Sequence, residues 1–385
     1  MQQQRRIATW SLAFLFLAMC PLVSSAEPKE IVLGESAPLT GNFSELGAAY
    51  RDGAKLYFDK INNAGGVNGR QVKLMTLDDG YVASRAEANT RQLIEKDKVV
   101  ALFGHMFTNT VFASLPLART AGIPYVAPYA GNDELYARPA NPVLFMTRAS
   151  YASELDALVR HINTMGLSRV ALVRYDSVGG AALQKDLAQK MRAFNTAPIG
   201  FAFIKLNAPA DPAAATALAR LQPSAIVLGV SGNDAVAFVR EFNRANKKAP
   251  VQFLARSLIG SNQLVADLSS EARGIVISQA APSPFNGKTR ISREYQAALK
   301  IQFAETQIQT PASYIGLEGF IAAKVMVEGL RRAGGNLSRY KLTAALESIH
   351  DWDVGDFVIN YSSNDHAGSQ FVTVTVIGAN GHFIE

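Results

Sequence analysis

The stretch YRDGAKLYFDKINNAGGVNGRQVKLMTLDD, residues 50–79, decides the fold. Tyr50, Ala54, Tyr57, Phe58 and Ile61 fall on one face of a 3.6-residue helical repeat, which predicts a helix covering an apolar surface. The run Gly65-Gly66-Val67-Asn68-Gly69 ends it with residues that tolerate a tight turn. A strand follows and leads to the acidic pair Asp78-Asp79. Helix, turn and strand in that order are the repeating unit of an α/β protein.

Outward from this unit the same rhythm continues. Short, continuously apolar runs recur at 31–33, 99–103, 123–127, 170–173, 225–228, 251–254 and 275–277. Continuous rather than alternating apolarity suits strands covered on both faces, as in a parallel sheet. Helical faces lie between them, such as Leu155, Leu158, Val159 and Ile162, or Ala235, Phe238, Val239 and Phe242. The expected class is therefore α/β with right-handed crossovers, and the alternation runs twice. Beyond residue 279 the pattern changes. Residues 295–303 and 315–330 read as helices, the second apolar nearly all round and so buried. Residues 371–377 alternate Val with Thr, as an edge strand with one wet face would, and Asn380-Gly381 signals a hairpin. The expected organisation is two lobes, residues 27–148 with 280–353 and residues 149–279 with 354–385. Several chain crossings rather than a flexible linker join them.

The first 26 residues carry Arg5 and Arg6, an apolar segment over 7–23 broken by Pro21, and the small residues Ser24-Ser25-Ala26. This is the layout of a signal peptide cleaved after Ala26, which predicts an exported, periplasmic protein. Cleavage removes the only cysteine, Cys20, and with it disulfides, Cys-ligated zinc and thiol nucleophiles. It also removes Arg5 and Arg6 from the 38 basic residues, leaving 36 against 32 acidic ones. With so small and scattered an excess, nucleic acid is not an expected partner.

Ligands of open parallel sheets sit outside the carboxyl ends of the strands, so those ends supply the candidates. Phe43 and Leu46, in and after the loop Leu39-Thr40-Gly41-Asn42-Phe43, are placed to pack on a ligand. Thr108 and Asn109 follow Phe103-Gly104-His105-Met106-Phe107 and open a helix. Capping accounts for them, and so does an anion at the helix start, which gains about 0.3–2 kcal/mol from the dipole. Tyr129, Ala130 and Gly131 end the run at 123–127, with Gly131 allowing close backbone approach and Tyr129 a ring and a hydroxyl. From the second set come Arg174, Tyr175, Ser231, Arg256 and Ser257; an arginine in a cleft suits bidentate capture of a carboxylate, and pairing with a nearby acid is the alternative. His105 is read as structural.

Enzyme signatures fail. Gly229-Val230-Ser231-Gly232-Asn233 starts as a nucleophile elbow but ends in Asn. Asn286-Gly287-Lys288-Thr289 lacks the first glycine of a phosphate loop, with Pro282 in its place. The five histidines lack metal-ligand spacing, and Asp78-Asp79 is an acidic pair at a strand end. No catalytic residue, metal or cofactor is expected.

Across nearly all of the chain after residue 26, the sequence resembles the periplasmic solute-binding proteins of ABC importers, of the leucine/isoleucine/valine-binding type. The resemblance is carried by Leu33-Gly34 through Leu39-Thr40-Gly41, by Asp52-Gly53-Ala54 leading to Ile61-Asn62-Asn63-Ala64-Gly65-Gly66-Val67-Asn68-Gly69, and by Asp78-Asp79. Gly122-Ile123-Pro124-Tyr125-Val126-Ala127-Pro128 and Gly131-Asn132-Asp133-Glu134-Leu135 add to it. It implies two doubly wound, Rossmann-like lobes joined by three crossovers, a monomer that encloses its ligand, and a permease in the inner membrane as partner. It also implies an α-carboxylate held at Thr108 and Asn109, with backbone contacts from Tyr129-Ala130-Gly131. Where such proteins place an acid for the ligand's ammonium, this chain has Ser257 beside Arg256. Gly131 replaces a hydroxyl residue, and Ser231 and Leu46 fall where aromatics are usual. A buried ammonium without a counter-charge is costly, so the expected ligand is an anionic one, such as an aromatic or other organic carboxylate. A sensor of the same fold and an exported α/β hydrolase are the alternative readings.

Overall fold

The computed structural model describes residues 30–205, 212–247, 250–259 and 262–385. The expected signal peptide lies outside them. The first lobe is built on a parallel sheet of β1 (Ile31–Ala37), β2 (Val72–Asp78), β3 (Ala101–Phe103), β4 (Tyr125–Val126) and β5 (Leu144–Phe145), in the order β2-β1-β3-β4-β5. Helices α1 (Ser44–Asn63), α2 (Ala83–Glu95) and α3 (Thr108–Ala121) make its crossovers. The Gly-rich turn after α1 reverses with Gly65, Gly66, Asn68 and Gly69 all at positive φ.

The second lobe begins with α4 (Tyr151–Thr164) and continues through β6 (Val170–Tyr175), α5 (Val178–Arg192), β7 (Gly200–Ile204), α6 (Pro212–Arg220), β8 (Ala225–Gly229), α7 (Gly232–Ala245), β9 (Gln252–Ala255), α8 (Asn262–Leu268) and β10 (Val276–Gln279). Strands β6 to β10 are parallel neighbours, matching the continuous apolar runs. The chain then returns to the first lobe. There α9 (Arg290–Thr306) and α10 (Tyr314–Ala333) pack with α1, α11 (Arg339–Glu347) packs on α10, and β11 (Trp352–Asp353), β12 (Val358–Ser362) and β13 (Asp365–Gly368) form a small antiparallel sheet. Helix α10 carries the buried apolar face expected of 315–330, and its backbone lies directly on α1. A Cβ on Gly53 would stand 1.9 Å from the Gly316 carbonyl oxygen, and one on Gly319 2.1 Å from that of Tyr50.

Two expectations are corrected here. Residues 354–368, expected in the second lobe, belong to the first, where Val354, Phe357, Ile359 and Tyr361 are buried in the core. The Met146 N–H donates to the His366 carbonyl at 2.9 Å, and the Tyr361 hydroxyl donates to the Met146 carbonyl at 2.8 Å. The third crossing therefore falls at 369–372, after the earlier ones at 146–150 and 280–289. Second, β14 (Thr373–Ile377) is not an edge strand: it lies between β10 and the two-residue β15 (Phe383–Ile384), to which the 378–382 hairpin joins it.

Glu35, on β1, is wholly buried; its Oε2 accepts from the Thr76 hydroxyl at 2.6 Å. Burial pushes its carboxyl up from 4.5 to about 8. The folded chain thus holds a proton that the unfolded chain has released, so stability is greatest below about pH 4.5 for this group and is lost as pH rises toward 8. Glu35→Gln is expected to flatten that part of the profile. Urea unfolding at about pH 5 and about pH 8.5 checks it, and equal losses in variant and wild type would refute it.

Candidate ligand-binding cleft

Residues just past β2, β3, β4 and β5 of one lobe, and past β6, β8 and β9 of the other, enclose a cavity of about 110 Å³. One wall is aromatic. The rings of Phe43, Tyr81 and Phe107 meet edge-on or tilted at 4.7, 5.0 and 5.1 Å between centroids. Leu183, Leu228, Val230, Leu258 and Ile259 supply the apolar part of the other wall, with Tyr175 beside them. An engineered cavity of roughly 150 Å³ takes up benzene, so this space suits one small ring or a branched aliphatic chain.

Backbone geometry adds polarity. Phe107 has φ 67° and ψ 151°, a region nearly confined to glycine, and such strain clusters at functional sites. It is the N-cap of α3 and gives that helix no side-chain cap. Ser231 caps α7 likewise without a side-chain bond, whereas Ser177 Oγ accepts from the Gly180 N–H at the start of α5. The N-termini of three long helices thus border the cavity, and their dipoles favour an anion there.

Arg256 lines the cavity with its guanidinium 4.3 Å from the centre of the Tyr151 ring. Among the described residues that guanidinium has no hydrogen-bond or ion-pair partner. Asp133 and Asp186 also line the cavity. Asp186 is pushed up chiefly by desolvation and further by Asp133, while Arg256 and nearby lysines oppose the rise. The Tyr175 hydroxyl donates to Asp234 at 2.9 Å and accepts from the Ser231 N–H at 3.2 Å. At the mouth the lobes touch: Asn42 Oδ1 accepts from the Asn233 N–H at 3.1 Å, and Asn42 Nδ2 donates to Asp234 at 3.3 Å.

Of the residues singled out from sequence, Phe43, Thr108, Asn109, Tyr175, Ser231 and Arg256 are brought together around the cavity. The others are not. Leu46 is on the buried face of α1 and packs in the core. Arg174 turns away: Nε donates to Gln184, Nη1 to the Tyr175 carbonyl, and its guanidinium stacks 4.4 Å over Phe203. Ala130 is buried in a core cluster of the first lobe. Gly131 serves a side chain, since a Cβ there would lie 2.3 Å from the Tyr151 ring. Tyr129 is fully buried beneath Arg148. Ser257 is taken up by Glu154, which accepts from its N–H at 2.7 Å and its hydroxyl at 3.0 Å.

Behind the cavity lies an ion cluster that the sequence did not announce. Arg148, in the first crossing and 2 % exposed, bonds Glu318 of α10 at 3.0 Å and Glu154 of α4 at 3.1 Å, and donates to Ser257. One guanidinium therefore holds a carboxylate from each lobe. Desolvation pushes Glu318 up to about 7, against the pull of Arg148. His105 is buried, with Nε2 3.1 Å from the Thr90 hydroxyl, and desolvation holds it neutral with a pKa of about 4. Asp78 accepts from the N–H groups of Leu39, Thr40 and Gly80 and so ties down the loop before Phe43. Among the described residues no cluster of three or more His, Cys, Asp or Glu is placed to hold a metal, and no helix is long and apolar enough to cross a membrane.

Residues 30–382 match the family model described as periplasmic binding protein. The chain belongs to that family. The Leu/Ile/Val-binding protein homolog 8 of Brucella abortus is 23% identical to this periplasmic binding protein over 383 residues, covering 95% of this chain and 92% of that one. An amino acid binding protein of Pseudomonas aeruginosa is 27% identical over 154 residues only, or 40% of this chain and 41% of that protein. Among solved structures, a substrate-binding periplasmic protein from Ralstonia solanacearum superposes with a TM-score of 0.85 at 28% identity, covering 92% of this chain and 99% of that one. A solute-binding protein of an ABC transporter from R. palustris, in complex with benzoate, superposes with a TM-score of 0.79 at 21% identity, covering 92% and 95%. The two-lobed type I architecture implied by the sequence is thus that of this periplasmic binding protein, and a ligand receptor is what the family makes it.

Sequence reading missed Tyr81, Phe107, Tyr151 and the Arg148 cluster. Tyr81 and Tyr151 each lie within six residues past a strand end, the one signal that would have raised them.

Proposed function

We propose that this protein is the solute receptor of an ABC importer, exported by its first 26 residues and working as a monomer in the periplasm. It encloses a small organic carboxylate, aromatic or branched, and delivers it to an inner-membrane permease. The observation that carries this reading is Arg256, a cation without a hydrogen-bonding partner among the described residues, set in a cavity with one aromatic wall. The helix N-termini at Thr108, Val178 and Gly232 support an anion beside it. The benzoate held by the R. palustris protein supports an aromatic acid as one form of that anion. Closing of the lobes needs a ligand that binds the shut form more tightly than the open one, and a guanidinium meeting its carboxylate only on closure supplies that difference.

Asp133 and Asp186 favour a second reading, a zwitterionic amino acid with its ammonium toward these carboxylates. One thermal-shift panel separates the two: benzoate, 4-methylpentanoate, leucine, phenylalanine and the neutral benzamide. The acids without an amine are expected to stabilise the protein by about 2.7 kcal/mol at a hundredfold excess over Kd, and benzamide not at all. Stabilisation by leucine or phenylalanine alone would favour the second reading, and a shift with none of the acids would defeat both.

A further inference from the structure

Arg256 and Ser257 are neighbours in the chain, and the first turn of α4 takes hold of both. Tyr151 and Glu154 stand three residues apart, so their side chains share a face of that helix. Glu154 fixes Ser257, accepting from its N–H at 2.7 Å and from its hydroxyl at 3.0 Å. The Tyr151 ring lies under the Arg256 guanidinium, whose central carbon is 4.3 Å from the ring centre. The ring is itself held in place. The Tyr151 N–H donates to the Gly131 carbonyl at 2.6 Å, and Ser150 caps the turn by accepting from the Ser153 N–H at 3.2 Å. A Cβ on Gly131 would stand 2.3 Å from Tyr151 Cδ1 and 2.5 Å from Cε1, so the ring occupies room that only glycine leaves. Tyr151 and Arg256 both line the cavity, whereas Gly131 is buried outside its lining.

Such support matters because of what else borders the cavity. Asp133 and Asp186 line it too, and the field of Arg256 reaches Asp186, opposing the rise that desolvation imposes on that carboxyl. Among the described residues no ion pair joins Arg256 to either acid. An unsupported arginine would have many rotamers and two carboxylates to fall upon, and ordering it afresh would weaken every ligand that used it. A guanidinium already resting on an aromatic face is spared that cost. The ring engages its flat face and leaves the N–H groups at its edge open to a carboxylate.

We propose that Tyr151 is the positioning residue of the solute site: its ring holds Arg256 ready at the cavity wall, and Gly131 makes the room in which the ring stands. Tyr151 thus acts on a bound carboxylate through Arg256, and Gly131 acts through Tyr151. This rests on the reading of the cleft as a carboxylate site and adds to it the means by which the cation is kept available.

Benzoate affinity by calorimetry tests this in three variants, each made alone and with Arg256→Ala. Tyr151→Phe keeps the ring and is expected to bind within about twofold of wild type. Tyr151→Leu removes the ring and Gly131→Ala displaces it, and each is expected to weaken binding about three- to tenfold. With Arg256→Ala already present, neither is expected to weaken it further, because a residue that acts through another adds nothing once the other is gone. Gly131→Ala keeps the test open should Tyr151→Leu fail to fold. With wild-type binding intact, three results would overturn the proposal. Unchanged affinity in both Tyr151→Leu and Gly131→Ala is one. A loss in Tyr151→Phe as large as in Tyr151→Leu is another, since it gives the role to the hydroxyl. The third is a loss that persists undiminished alongside Arg256→Ala, which makes the ring a direct contact of the solute. Failure of the wild type to bind benzoate or 4-methylpentanoate would instead remove the carboxylate reading itself, a different result from loss in the variants alone.

Discussion

Arg148→Met is expected to destabilise the protein by about 3–5 kcal/mol, as urea unfolding followed by circular dichroism would measure. The substitution keeps most of the side-chain volume and removes the charge, and it strands two carboxylates that the fold has already taken from water. Glu154 is fully buried and Glu318 nearly so. Glu318 is pushed up to about 7 even with Arg148 beside it, so without that partner it takes up a proton more readily still. Glu154 is fixed by the Ser257 N–H and hydroxyl and by the Ser278 hydroxyl at 2.9 Å, and has nowhere to turn. Adding Glu318→Gln to Arg148→Met removes one stranded charge and is expected to recover part of the loss. A single-variant loss below about 1 kcal/mol would mean that the cluster relaxes toward water more easily than its burial implies.

Arg256→Ala is expected to act in the opposite way, weakening benzoate binding between about tenfold and 150-fold while leaving the melting temperature of the free protein nearly unchanged. Its guanidinium rests on the Tyr151 ring and makes no hydrogen bond or ion pair among the described residues, so removing it costs the fold little. A charge-assisted bond to a carboxylate is among the stronger polar contacts a binding site makes. Arg256→Lys retains the charge without the planar fork and is expected to fall between the two. Calorimetry decides: an unaltered dissociation constant for Arg256→Ala would put the anion elsewhere.

What the sequence made legible follows from which information is local. The strands could be read because burial on both faces leaves an unbroken apolar run, and the helices because one face repeats at helical spacing. Phe43, Thr108, Tyr175, Ser231 and Arg256 could be found because strand ends in such sheets face the ligand side. Adjacent residues there do not share a fate. Successive side chains of a strand point to opposite faces, which is why Tyr175 reaches the cavity and Arg174 turns toward Gln184 and Phe203. Ser257 sits one residue from Arg256 yet is claimed by Glu154, 103 positions earlier in the chain. No window of sequence contains that pairing. The lobe of the β12–β13 hairpin is hidden from sequence for the same reason, since Tyr361 and His366 find their partners at Met146 across more than two hundred residues. The Arg148 cluster draws its members from crossing, helix and strand alike, and only the folded chain brings them together.

The bridge from Asn42 to Asn233 and Asp234 joins protein to protein. It favours the shut arrangement by the same amount whatever the solute, so it adds nothing to the choice between one solute and another. It does lengthen the stay of each, because an exit route must open at a point that the departing molecule does not touch. How long a solute is held and which solute is held are therefore set by different residues, and each can be altered without the other.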